Sequence, residues 1–112
     1  MAKIELQDFV KFGRLFEIYG NLLSEDRQGM MKLYFNFNMT LAEIAKEKSV
    51  SRQAVLDAIS KSCDKLLEFE EKLNIMSKQI ELTEDLENLK QYFEKSSQKE
   101  LAEKVEKIMR KM

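Results

Sequence analysis

Three consecutive polar residues, Ser51, Arg52 and Gln53, are the best-placed chemistry in this 112-residue chain. An arginine guanidinium can donate two parallel bonds to a guanine edge. A glutamine amide can both donate to and accept from an adenine edge. A serine just ahead of them can accept a bond from a free backbone N–H, and a helix start of this kind can also hold a phosphate. Further on, Ser60 and Lys61 supply a hydroxyl and an ammonium that can reach a nucleic-acid backbone. These five residues form a candidate contact set for double-stranded DNA. A blander reading makes Ser51 a cap and Arg52 a solvated charge.

Other chemistries fail for want of residues. The chain has no histidine and one cysteine. That removes the usual zinc ligand sets and imidazole acid–base chemistry. No glycine-rich phosphate loop is present. The many carboxylates alternate with lysines at solvated helical positions, which reads as surface charge and not as a catalytic pair. We therefore expect no enzymatic activity, no cofactor, no metal and no small-molecule substrate. The lone Cys63 cannot form an intrachain disulfide, and a reducing cytoplasm is the natural setting. No apolar run is long enough to cross a bilayer and no signal-peptide core opens the chain, so no membrane insertion is expected.

The elements that must position Arg52 and Gln53 are legible on either side of them. With no proline, three glycines and abundant Glu, Lys, Leu, Met and Gln, the fold class is all-α. Thr40 and Ser51 each open an amphipathic segment. Leu41, Ile44 and Ala45 share one helical face, and Val55, Ala58 and Ile59 share another. Only a few residues around Lys48, Ser49 and Val50 separate the two. Small Ala42, Ala45 and Ala54 allow close approach. This is the pattern of a helix-turn-helix at about residues 40–65, whose second helix can enter the major groove.

Around the motif, a first helix is predicted from Glu5 to Leu23, with an apolar stripe wide enough for more than one packing partner. Ser24 is predicted to cap a second helix that ends near Phe35. The recognition helix should run from Arg52 to about Asn74 or further, because Val55, Ile59, Ser62, Leu66, Phe69, Leu73, Met76 and Ile80 recur in steps of four and three. Thr83 is read as the cap of another helix. Ser97 and Glu100 have the spacing of a capping box for a last one. The organisation expected is a helix-turn-helix domain over residues 1–80 and an amphipathic helical extension over 81–112. A homodimer is expected through the first helix, the distal part of the long helix or the tail.

Charge bears on the ligand. Residues 1–39 carry 5 Lys/Arg and 5 Asp/Glu, residues 40–73 carry 6 and 7, and residues 74–112 carry 8 and 8. Duplex affinity rests heavily on neutralised phosphates, so DNA binding here requires a local patch. The near-neutral motif, with Leu56 and Asp57 on its outer side, keeps open a second reading as a protein-interaction module on the same fold. Single-stranded RNA fits less well, since no aromatic and basic stacking surface is evident.

Arg14-Leu15-Phe16, Tyr19, Leu22-Leu23-Ser24, Leu33-Tyr34-Phe35, Thr40-Leu41-Ala42-Glu43-Ile44-Ala45 and Ser51-Arg52-Gln53-Ala54-Val55 together resemble the YlxM family. These are small bacterial helix-turn-helix proteins similar to region 4 of sigma factors. The resemblance spans about residues 10–80. It implies an all-helical, non-enzymatic DNA-binding regulator, with a link to the signal recognition particle pathway through neighbouring genes. In the protein-interaction reading that Leu56 and Asp57 keep open, the partner is a transcription or protein-targeting component.

Overall fold

The computed structural model describes residues 6–112 and is helical throughout, with no strand among them. Six helices follow in order: α1 (Leu6–Tyr19), α2 (Glu25–Phe35), α3 (Leu41–Lys48), α4 (Arg52–Leu73), α5 (Ile75–Lys95) and α6 (Lys99–Arg110). They divide into two compact units, Met1–Asn74 and Ile75–Met112. Residues 75–80 thus belong with the C-terminal helices.

In the first unit α4 is the post on which the others lean, for α1, α2 and α3 all pack against it. Leu15, Tyr19, Met31, Ile44, Val55, Ile59, Cys63 and Leu66 meet in its core with almost no solvent exposure. The seam read along α4 is therefore filled within the chain from Val55 to Leu66. The wide stripe of α1 is filled too: Phe12, Leu15, Phe16 and Tyr19 are buried, and α1 touches both α2 and α4. Phe9 adds ring contacts to Tyr34 at 5.8 Å and Phe35 at 5.0 Å. Leu22, three residues beyond Tyr19 and past the end of α1, is exposed.

Two polar contacts tie the helices where apolar packing would not predict them. The Tyr19 hydroxyl donates to Glu70 Oε1 at 2.6 Å, which lets a carboxylate sit buried on α4. Arg27 Nη1 donates to the Ala58 carbonyl at 3.1 Å and so clamps α2 to α4. Burial, with a smaller push from Asp64, drives the Cys63 thiol up to about 12. It stays protonated and packs as a small hydrophobe.

Helix ends follow local chemistry. Ser24 accepts from the Arg27 N–H. Thr40 and Glu43 form a reciprocal capping box, with bonds of 3.1 Å and 2.9 Å. The α1 prediction ran on to Leu23, with Glu5 outside the described residues. Here α1 ends at Tyr19 and a 3-10 turn over Gly20–Leu22 takes the chain round. Gly20 permits it, because a Cβ there would lie 2.8 Å from the Phe16 ring. Asn74 stops α4 in the left-handed region at φ 56, a conformation asparagine tolerates better than most residues. Met76 and Ile80 therefore fall on the next helix.

The Thr40–Glu43 box makes a pH prediction. The Thr40 backbone and side-chain bonds hold the Glu43 carboxyl below the usual carboxylate range. A depressed folded value means stabilisation that is present at neutral pH and is lost as pH falls through that value. Thr40→Ala should cost about 1 kcal/mol at pH 7. Alanine keeps the backbone N–H that bonds Glu43, the larger cause of the shift. Glu43→Gln is therefore the change that should remove the Glu43 share of acid sensitivity, read as a smaller loss of urea midpoint between neutral and acid pH than in the parent chain.

In the second unit, α5 and α6 form a hairpin. Thr83 lies inside α5 and caps nothing, because no breaker interrupts residues 75–95. The Ser97–Glu100 box does not form either. Ser97 turns the chain at φ 60, and Gln98 precedes α6 without a side-chain cap bond. Ala102 and Val105 are buried against α5. Lys90 and Glu106 bridge the two helices at 2.7 Å. This pairing raises the Lys90 ammonium pKa and lowers that of the Glu106 carboxyl.

A candidate nucleic-acid interface on α4

The link between α3 and α4 sets how Arg52 and Gln53 are offered. After Lys48 the chain passes through Ser49 in the left-handed region, at φ 56 and ψ 42. The Val50 N–H returns to the Ala45 carbonyl at 3.0 Å. That six-to-one closure ends α3 within two residues. Ser51 is then extended, and its hydroxyl accepts from the Ala54 N–H at 3.0 Å. The short link leaves the first turn of α4 uncovered.

Arg52 is the first helical residue and is exposed. Gln53 is exposed as well, but its amide is engaged: Nε2 donates to Asp57 Oδ1 at 3.0 Å. The Gln53 amide is thus held beside a carboxylate. To bond both edges of an adenine it must release Asp57. Asp57 escaped the sequence-derived contact set, although its four-residue spacing from Gln53 is the signal that could have found it.

The remaining two residues of that set lie elsewhere on the helix. Ser60 is half-buried, and its Oγ is covered and lacks a hydrogen-bond partner. Lys61 is exposed but stands nine residues beyond Arg52, about 180° round the helix. It borders a cavity of about 540 Å³ near the start of α2, with Ser24, Arg27, Asp64, Lys65 and Glu68. Ser51, Arg52 and Gln53 are therefore gathered at one end of α4, while Ser60 and Lys61 are not brought to them. Asp57, Asp64 and Glu68 are exposed along α4 among Lys61, Lys65 and Lys72, so the outer surface of this helix is mixed in charge beyond its first turn.

Comparison with known proteins places the fold in context. The family model "Putative helix-turn-helix protein, YlxM / p13 like" (UPF0122) matches residues 6–108. The likeness therefore extends past residue 80, through α5 and most of α6. A UPF0122 protein of Clostridium kluyveri is 33% identical over 103 residues, covering 92% of this chain and 93% of its own. One from Fusobacterium nucleatum is 35% identical over 98 residues, covering 88% and 95%. One from Desulforamulus reducens is 34% identical over 110 residues, covering 96% and 94%. Among the described residues no helix is long and apolar enough to cross a membrane. With all six helices inside or overlapping the matched span, the chain belongs to the UPF0122 family of YlxM/p13-like helix-turn-helix proteins.

Proposed function

We propose that this protein is a non-enzymatic, cytoplasmic DNA-binding regulator that reads the major groove with the first turn of α4. The observation that carries this reading is the pair Arg52 and Gln53, both exposed at the capped, uncovered start of the second helix of the motif. Ser51 and the adjoining backbone N–H groups hold a phosphate at that end. Lys61 reaches the sugar–phosphate backbone from the far side of the helix, and Ser60 joins it once its hydroxyl turns outward. The family resemblance suggests a regulatory link to the signal recognition particle pathway.

One observation favours a second reading, a protein-interaction module on the same fold. The Gln53 amide is held by Asp57, and further carboxylates follow along α4. A protein partner with its own mixed charges suits that face of alternating carboxylates and lysines better than a uniformly anionic phosphate backbone does.

Salt dependence separates the two when the full chain is titrated against a mixed pool of duplex fragments. Duplex binding through the start of α4 should weaken as salt rises, with a log–log slope of about −0.9 for each phosphate neutralised. Absence of duplex binding even at low salt would overturn the DNA reading and leave the protein-interaction module.

A further inference from the structure

The α5–α6 hairpin has two unlike faces. On one, Lys90 bridges Glu106 at 2.7 Å, with Glu94, Lys99 and Glu103 beside it. The other face is apolar. At 3.6 residues per turn, Leu82 and Leu89 of α5 stand about 80–100° round the helix from Lys90, while Leu86 and Phe93 lie closer to Lys90 and are half-buried. Leu101 and Ile108 of α6 turn to the side away from Glu106, which is the same side of the hairpin as Leu82 and Leu89. The centre of this face is open: Leu89 is 43% exposed and Ile108 is 51% exposed. The pairs Leu82–Leu89 and Leu101–Ile108 each keep a seven-residue spacing, the repeat with which helices mesh in a left-handed bundle.

We propose that a second copy of this chain covers this face, so that two hairpins form a four-helix bundle and hold the protein as a homodimer. Two helices of about 10 Å diameter, packed over some 20–30 Å, offer roughly 500 Å² per copy, about 1,000 Å² for the pair, which is the threshold of a specific interface. The rims decide the arrangement. Glu81, Glu84 and Asp85 run along the outer edge of α5, with Lys95 at its end, and Lys104, Lys107 and Lys111 along the outer edge of α6, with Glu100 at its start; all eight are exposed. When the hairpins stack about a two-fold axis parallel to the helices, α5 of one copy lies over α6 of the other, and each acidic edge meets a basic one. Stacking α5 on α5 would set acid against acid. The Lys90–Glu106 bridge fixes which residues are level, and it puts Asp85 level with Lys111 of the other copy. A two-fold contact is self-complementary, so one chain carries both halves of the match.

Sedimentation equilibrium without nucleic acid tests this independently of what α4 binds. The full chain is expected to form dimers at micromolar concentration. Leu89→Lys should raise the dimer dissociation constant at least tenfold while helicity, read by circular dichroism, is retained. Asp85→Lys and Lys111→Glu should each weaken the dimer. Mixing those two single variants, or combining both changes in one chain, should restore it. A full chain that is monomeric up to 100 μM would overturn the proposal (~8 kcal/mol of association corresponds to a micromolar constant). So would single variants that are not rescued by mixing, because a partner other than a second copy would not respond to the exchange of charges.

Discussion

Removing the side chains of both Arg52 and Gln53 is expected to lower affinity for a specific duplex at least tenfold. Each good bidentate base contact is worth ~1–3 kcal/mol, and 1.4 kcal/mol is a factor of ten. Arg52 and Gln53 lie in the first turn of α4 and are exposed, and this is the part of a recognition helix that reaches base edges. The Arg52→Ala, Gln53→Ala variant should fold normally, because neither side chain is buried. Its loss should fall mostly on the specific site, leaving non-specific binding nearer the parent value. Asp57→Ala should move the other way: it frees the Gln53 amide and removes a carboxylate from beside the phosphates. Titrations of the three proteins at one fixed salt concentration check both directions. Equal specific affinities for parent and double variant would take these residues out of the contact set.

Ile44→Ala should be the most destabilising single change in the motif. Ile44 has no solvent exposure and lies on α3, which packs on α4. Truncating a fully buried isoleucine costs ~2–5 kcal/mol, depending on how far the site collapses. Domains of this size have only ~5–15 kcal/mol in total, so roughly a third of the stability is at stake for mid-range values. Urea denaturation followed by circular dichroism would show the midpoint fall. An unchanged midpoint would contradict the docking of α3 described above. Because α3 and the short link at Ser49 and Val50 hold the start of α4 in place, the same variant should lose duplex affinity well below its unfolding midpoint.

The parts legible from sequence were those governed by short-range chemistry. Ser24, Thr40 and Ser51 cap helices as expected because the acceptor and the N–H are three residues apart. The same reasoning failed at Thr83 and Ser97. A hydroxyl can cap only where the helix breaks, and Asn74 and Ser97, both at positive φ, set the breaks around α5. Spacing found the α4 seam but missed that Glu70 would be buried, because its donor Tyr19 is 51 residues distant. At the site, exposure of Arg52 and Gln53 was legible. The separation of Lys61 from Arg52 was also readable, but a nearness in sequence hid a difference in direction round the helix.

Ser49 has a consequence for how this sequence can drift. Its left-handed backbone, at φ 56 and ψ 42, is what lets α3 stop and α4 start so soon afterwards. A side chain in that conformation costs roughly 1 kcal/mol that glycine would not incur. Position 49 therefore acts as a sieve on inherited change. Glycine and asparagine pass at no loss, β-branched residues pass only with strain, and proline cannot adopt the angle at all. Lineages of this chain can rewrite the exposed letters of α4, and with them the ligand, far more freely than they can rewrite the one residue that aims the helix.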